Sequence, residues 1–140
     1  MNIYTVYCLC DQNENPFYVG CTKNYASRMA HHIRNALARL EDPDSVFEDV
    51  PKDGRIREIY QHGGYVVSHK ILETSDATVA SVVERLFIEN YQGELMNVGF
   101  RPKHLRPKRV GGRWRVEGFT PRMIFIPQQN KDARRFQQAS

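Results

Sequence analysis

The chain has 140 residues, of which 41% are hydrophobic and 26% are charged. This length predicts one domain that can bury a core without disulfide bonds. The three cysteines do not make a disulfide framework, and no apolar run is long enough to span a membrane. The N-terminus has no basic stretch before an apolar one. We therefore expect an intracellular, cytoplasmic protein with no membrane partner.

The net charge of +4 is unevenly distributed along the chain. Residues 1–100 contain 9 Lys and Arg against 14 Asp and Glu, whereas residues 101–140 contain 11 against 2. A basic segment of this kind indicates a polyanionic partner such as nucleic acid. The simpler alternative is a solvated tail that binds nothing.

The N-terminal part of the chain predicts a β-hairpin. Two apolar runs flank a polar turn at residues 11–15, which places strands at residues 3–10 and 16–20. Cys8 and Cys10 lie two positions apart on the first strand and so point to one face. Buried, inert thiols are the favoured interpretation, because their spacing is not that of a zinc site.

A helical pattern follows the hairpin, from residue 24 or 25 to residue 40. Arg28 and His32 are four residues apart on this helix and therefore share a face. Residues 41–53 then carry six acidic residues and two prolines, which predicts a loop or insert.

The middle of the chain predicts a short helix at residues 55–62, a β-branched strand at 65–72 and a longer helix at 77–91. A Gly-Gly pair ends the short helix, and Ser75 or Asp76 caps the longer one. The apolar residues predicted to face the core from the longer helix are Val79, Val82, Val83, Leu86 and Phe87.

The composition changes at residue 101, and basic residues then surround the turn Gly111-Gly112. We predict a basic hairpin or extended arm packed on the same domain, in which Trp114 either packs or stacks on bases. Residues 123–126 are apolar enough to form a further strand, and the polar end frays or forms a short helix. The side chains predicted to bind nucleic acid from this segment are Lys103, Arg106, Lys108, Arg109, Arg113 and Arg115.

Two short motifs near the N-terminus resemble those of the GIY-YIG nuclease family. The first would be Thr5-Val6-Tyr7 and the second Tyr18-Val19-Gly20, with ten residues between the two tyrosines. Arg28 follows ten residues after the second tyrosine, and His32 lies four residues further on. Glu84 and Asn97 extend the resemblance over about the first 100 residues.

The first motif departs from the family pattern. Thr5 and Val6 stand where the family has glycine and isoleucine. Tyr4 is a competing candidate for the first tyrosine, but it lies fourteen residues before Tyr18, a longer separation than the family's usual spacing. We therefore assign the motif to Tyr7.

The resemblance implies an α/β (α+β) fold, with a small, mainly antiparallel three-stranded sheet flanked by helices and followed by the basic extension. It also implies a divalent-metal-dependent endonuclease that hydrolyses DNA phosphodiester bonds with Mg²⁺ or Mn²⁺. Restriction, homing, repair and phage-linked roles share such a domain, which favours a bacterial or phage-infected cell. Two strands would be cut by sequential nicking or by a dimer.

The family's residue roles transfer to matching positions. Tyr7 would be the general base, Tyr18 would hydrogen-bond the water or phosphate, and His32 would share proton transfer. Arg28 and the metal at Glu84 would stabilise charge on the phosphate. A single carboxylate suffices for Mg²⁺, and Glu89 is the second candidate. Among the residues expected to contact or position the nucleic acid are also Gly20 and Asn97.

Two alternatives from other functional classes remain open. A nucleic-acid-binding module that has lost catalysis would bind DNA without metal-dependent cleavage. A structural or interaction protein would have its tyrosines in the core and no salt-dependent affinity for DNA. Glu84 itself could be a flanking charge paired with Arg85 or Lys70.

Overall fold

The computed structural model describes residues 1–41 and 50–116 of the 140-residue chain. Their centre is an antiparallel three-stranded sheet with the strand order β2-β1-β3. The strands are β1 (Tyr4–Cys10), β2 (Pro16–Thr22) and β3 (Val67–Thr74). Helices pack on both faces of this sheet, which confirms the α+β fold. None of the helices in the described ranges has the length and apolarity that crossing a membrane requires.

The polar turn between β1 and β2 is held by Asp11. Its carboxylate accepts backbone N–H groups from Asn13 at 2.9 Å and from Asn15 at 3.0 Å, as short acidic side chains do in turns. Glu14 has a left-handed φ of 62° and turns its carboxylate inward to His69, 3.2 Å away. The predicted hairpin is therefore confirmed, although β2 runs two residues beyond its predicted end.

Two helices pack on one face of the sheet: α1 (Tyr25–Glu41) and α2 (Pro51–Gln61). The predicted start of α2 at residue 55 was wrong by four residues. Pro51 occupies the first turn, where its fixed φ and missing N–H are no disadvantage. The last three residues of the predicted insert are thus helical, and residues 42–49 lie outside the described ranges. Gly63, with a φ of 80°, follows the end of the helix as predicted.

The third strand was predicted two residues too early. β3 begins at Val67, opposite Cys10, and ends at Thr74, opposite Tyr4. Its bounds therefore match the full length of β1, because a strand ends where its hydrogen-bonding partner ends.

The third helix, α3 (Ala77–Asn90), packs on the other face of the sheet. Asp76 caps it by accepting the N–H groups of Thr78 at 2.9 Å and Val79 at 3.2 Å. The predicted core stripe was wrong in part, since Ala80 and Ile88 are the buried residues. Val83 and Phe87 are partly buried, whereas three others are 42–52% exposed: Val79, Val82 and Leu86.

The alternation of β1 divides the core into two clusters. Val6, Cys8 and Cys10 face α3, which confirms that both thiols are buried on one face. Tyr7 and Leu9 face α1 and α2. The first-motif tyrosine is thereby directed towards the helix that carries Arg28 and His32.

The basic segment forms a hairpin, as predicted. After a 3₁₀ turn at Lys103–Leu105, β4 (Lys108–Val110) pairs with β5 (Arg113–Arg115). Gly111 and Gly112 have φ values of 59° and 78°, which suit a tight hairpin turn. Trp114 packs against Gly54 of α2, in agreement with the packing alternative. The strand predicted at residues 123–126 and the polar end lie outside the described residues, and the division at residue 100 stays a prediction.

Candidate active site

A hydrogen bond joins β1 to α1 at the centre of the candidate site. Tyr7 Oη and His32 Nε2 are 2.6 Å apart. Both side chains are buried, with exposed fractions of 0% and 1%. The structure therefore brings together two residues that lie 25 positions apart in the sequence.

Gly20 makes room for the Tyr7 phenol. The two residues are register partners on β2 and β1. A Cβ added at Gly20 would lie 2.5 Å from Oη and 2.7 Å from Cζ of Tyr7, closer than any normal contact. Gly20 is itself buried. Its function in this structure is to let the tyrosine approach β2, and a contact of Gly20 with nucleic acid stays a prediction.

The other aromatic rings complete a cluster around Tyr7. The half-buried Tyr18 ring meets the His32 ring edge-on, with centroids 5.5 Å apart. Tyr25, which sequence reasoning missed, stacks on Tyr7 at 5.9 Å. Its position at the first residue of α1 was the available signal.

Arg28 lies between the tyrosines and the solvent. Burial raises the pKa of Tyr7 above its ordinary value, and the nearby Arg28 guanidinium opposes that rise. Burial likewise raises the pKa of Tyr18, again opposed by Arg28. Arg28 is exposed and also lines an open cleft beside the site. Arg28 is thus close both to the phenols of Tyr7 and Tyr18 and to this cleft.

The cleft has a volume of about 410 Å³ and lies between the sheet end, α1 and α3. Glu84 and Ser81 of α3 line it together with Arg28 of α1. The complete lining is Tyr4, Cys21, Thr22, Lys23, Arg28, Ala77, Ser81 and Glu84. Tyr7 and Tyr18 do not line it, whereas Tyr4, the competing first-motif tyrosine, does.

The pairing that would make Glu84 a flanking charge does not occur. Arg85 pairs with Glu89 at 2.7 Å, and Lys70 pairs with Glu73 at 2.8 Å. Within residues 1–41 and 50–116, no ion pair reaches Glu84. Burial raises the pKa of Glu84, which means that its ionised form lacks compensation and would gain from a bound cation.

The donors around Glu84 fit a hard cation. The cleft offers the Glu84 carboxylate and the hydroxyls of Ser81 and Thr22, and oxygen ligands are those that Mg²⁺ and Mn²⁺ prefer. No group of three or more His, Cys, Asp or Glu residues that could bind a metal occurs in the described part of the chain. Any Mg²⁺ site here would therefore depend on one carboxylate and several waters, which is a common arrangement for Mg²⁺.

His32 has a second hydrogen-bond partner that sequence reasoning missed. Lys52 Nζ, in the first turn of α2, lies 2.7 Å from His32 Nδ1. Burial, together with the charges of Lys52 and Arg28, lowers the pKa of His32 to about 3. The imidazole is therefore neutral at physiological pH. Lys52 lay in the segment predicted to be a loop, so the sequence gave no reason to place it near His32.

Asn97 supports β2 and does not face solvent. Its Oδ1 accepts the N–H of Val19 at 2.9 Å, and its Nδ2 donates to the carbonyl of Val19 at 2.9 Å. The side chain is 8% exposed. Asn97 thus holds the strand that carries Tyr18 and Gly20, in agreement with a role in positioning the site.

The basic residues predicted to bind nucleic acid at positions 103–115 fall into two groups by exposure. Arg115 is part-buried and donates to Glu58 at 2.9 Å, and its predicted contact with nucleic acid stays a prediction. Burial alone would raise the pKa of Glu58, but Arg115 and two other arginines outweigh this effect and hold the pKa below its ordinary value. The residues with exposed side chains are Lys103, Arg106, Lys108, Arg109 and Arg113.

Comparisons with known proteins add no relative. The chain matches no family model, no curated protein and no solved structure. The GIY-YIG resemblance therefore depends on the residues named above and on the geometry that brings them together.

Proposed function

We propose that the protein is a divalent-metal-dependent endonuclease of the GIY-YIG type that hydrolyses DNA phosphodiester bonds. The observation that carries the proposal is a cleft lined both by Arg28 and by the Glu84 carboxylate, whose pKa burial raises. Opposite charges around an open cleft suit a phosphate and a cation at the same site. The cytoplasm is the location expected for such an enzyme.

In this proposal Glu84 would hold Mg²⁺ or Mn²⁺, and Ser81 and Thr22 supply hydroxyls to the same cleft. The cation supplies Lewis-acid stabilisation of the phosphate and a bound water of lowered pKa. Arg28 binds a non-bridging phosphate oxygen, because its guanidinium presents several N–H donors and stays charged. Lys23 adds positive charge at the rim of the cleft.

The role of Tyr7 depends on a movement of Arg28. Tyr7 is 0% exposed, and Arg28 is both near its phenol and at the cleft wall. A phosphate that draws the guanidinium towards the cleft would uncover the phenol oxygen. The phenolic proton must first leave to solvent, and the resulting phenolate would then take one proton from the attacking water and become the phenol again. Tyr18 packs against His32 and keeps the imidazole ring in place.

DNA is the proposed substrate because of the basic hairpin. The basic segment at residues 103–115, which includes the hairpin, has five exposed cations that would neutralise phosphates and release counterions. Their contribution is measured as the slope of the logarithm of DNA affinity against the logarithm of salt concentration. Replacing Lys103 or Arg113 by alanine should reduce the magnitude of this slope by about one, which corresponds to one lost phosphate contact.

The experiment is nicking of supercoiled plasmid with Mg²⁺. Wild type should cleave, and both EDTA and Glu84→Ala should abolish cleavage. Glu89→Ala is the matched control, since Glu89 lies on the same helix and pairs with Arg85; this variant should retain activity. Equal cleavage by Glu84→Ala would contradict the proposed metal site.

A second pair of variants tests the choice between the two candidate tyrosines. Tyr7→Phe should lower the cleavage rate by about 100-fold or more, the usual effect of losing a general base. Tyr4→Phe should have little effect. The reverse order would assign the chemistry to Tyr4, which lines the cleft.

A catalytically inactive nucleic-acid-binding module is the second candidate. The complete burial of Tyr7 favours it, because a general base must reach water. It predicts a salt-dependent gel shift with no cleavage by any variant under any metal.

A further inference from the structure

His32 lies between two groups on different elements. Its Nε2 is 2.6 Å from Tyr7 Oη on β1, and its Nδ1 is 2.7 Å from Lys52 Nζ on α2. Both ring nitrogens are therefore hydrogen-bonded. Which of them carries the proton decides whether the imidazole donates to the tyrosine or accepts from it.

Lys52 determines which ring nitrogen of His32 carries the proton. An ammonium group has three donors and no acceptor, so it can only donate to Nδ1. Asp53 Oδ1 lies 3.2 Å from the same Nζ, and the Tyr18 ring faces it at 5.6 Å. The side chain of Lys52 is only 16% exposed, so the ammonium is held among these partners.

We propose that Lys52 is a positioning residue that fixes His32 in the tautomer with its proton on Nε2, so that His32 donates a hydrogen bond to Tyr7. Nδ1 accepts from Lys52 and carries no proton. A neutral imidazole has a single N–H, which must then be on Nε2. His32 cannot accept the phenolic proton in this state.

This assignment changes the part that His32 plays in the site. The Tyr7 oxygen receives one donor from His32 and has a second, the Arg28 guanidinium, nearby. Two donors near one phenol oxygen stabilise the phenolate, which is the form of Tyr7 that can take a proton from water. The consequence for catalysis rests on the proposed nuclease function, whereas the tautomer itself does not.

The tautomer is measured by a long-range ¹H–¹⁵N spectrum of the protein labelled with ¹⁵N-histidine, near neutral pH. His32→Gln identifies the His32 signals among the five histidines of the chain. Wild type should show a protonated Nε2 and an unprotonated Nδ1. A protonated Nδ1 in the wild type would overturn the proposal.

Two variants of Lys52 test its role. Lys52→Met removes the donor and should allow the proton to move to Nδ1, whereas Lys52→Arg keeps a donor and should retain the wild-type tautomer. Lys70→Met, at an exposed lysine of β3, is the control and should leave the His32 signals unchanged. An unchanged tautomer in folded Lys52→Met, or a changed one in folded Lys52→Arg, would overturn the assignment of this role to Lys52.

The catalytic readout separates this inference from the proposed function. If the nuclease is active, Lys52→Met should lower the cleavage rate by about 10- to 100-fold, the range found when a partner that orients a functional histidine is lost. Lys52→Arg should restore most of it. If no variant cleaves DNA, the proposed function fails while the tautomer result still decides the inference.

The groups around His32 also define its pH response. They are Tyr7 on β1, Tyr18 on β2, Arg28 and His31 on α1, and Lys52 on α2. Removal of the Lys52 charge should move the midpoint of the His32 titration upward in the same ¹⁵N spectra, because that charge adds to burial and to the neighbouring Arg28 and His31 in lowering the pKa of His32. A midpoint that stays unchanged, or falls, would contradict the contact.

Discussion

Replacement of Gly20 by alanine tests the packing on which the candidate site depends. The added Cβ would lie 2.5 Å from Tyr7 Oη and 2.7 Å from Cζ. Ordinary contact begins at 3.4 Å, so the two overlaps are 0.9 Å and 0.7 Å. The ring is held by His32 at 2.6 Å and by stacking on Tyr25, and therefore cannot move without cost.

The expected loss of stability follows from these overlaps. Overpacking of a well-packed core costs about 1–3 kcal/mol, and breaking the Tyr7–His32 hydrogen bond costs about 1 kcal/mol more. We expect Gly20→Ala to lower the free energy of unfolding by roughly 2–4 kcal/mol, measured by urea denaturation. Cleavage should be lost together with the tyrosine geometry.

Two further proteins make this test specific. Gly99→Ala is the matched control, because a Cβ at Gly99 has no neighbour within 4 Å; it should change stability by less than about 0.5 kcal/mol. The double variant Gly20→Ala/Tyr7→Phe lacks the closest clashing atom and should lose less than the sum of the single changes. Wild-type stability for Gly20→Ala would refute the contact between these residues.

Three further predictions concern the supports of the site. Asn97→Ala leaves two backbone groups of β2 without their 2.9 Å partners and should cost roughly 2–4 kcal/mol in urea denaturation, whereas Asn97→Asp should retain part of this because it keeps the acceptor. His32 has a folded pKa of about 3 against 6.5 when unfolded, so its stabilising contribution is complete above pH 6.5 and is lost on acidification. Between these two pKa values the free energy of unfolding should fall by about 1.4 kcal/mol for each pH unit of acidification. This dependence should be absent from His32→Gln when urea denaturation is compared at about pH 7 and about pH 5. Arg115→Ala should cost about 0.5–1 kcal/mol because it removes the ion pair with Glu58, whereas Lys103→Ala should weaken DNA binding and leave stability unchanged.

The local part of the site could be predicted from the sequence. Strand alternation and the i, i+4 relation of a helix are short-range rules, and they correctly put Tyr7 and His32 in reach of each other. Asp76 and the Gly111-Gly112 turn follow from equally local chemistry. Such features are set by a few neighbouring residues.

The errors came from long-range packing. The apolar residues of α3 allow two overlapping stripes, and only the contact with the sheet selects Ala80 and Ile88 over Val79 and Val82. Lys52 of α2 contacts His32 of α1, and no rule of residue spacing within one element predicts a contact between two helices.

The sequence also does not show which polar groups are already satisfied within the fold. A run of basic residues does not reveal that Arg115 has a carboxylate partner while its neighbours are exposed. Nor does a motif reveal that Asn97 is saturated by the backbone of Val19.

The most direct test of the account locates the metal. Mn²⁺ added to the ¹⁵N-labelled protein broadens the amide signals of residues close to it, and the amides expected to broaden are those of Thr22, Ser81 and their neighbours in the cleft. The effect should persist in Glu89→Gln and disappear in Glu84→Gln. Broadening that is unaffected by Glu84→Gln, or that is centred on the acidic residues 41–53, would contradict a metal-dependent active site in this cleft.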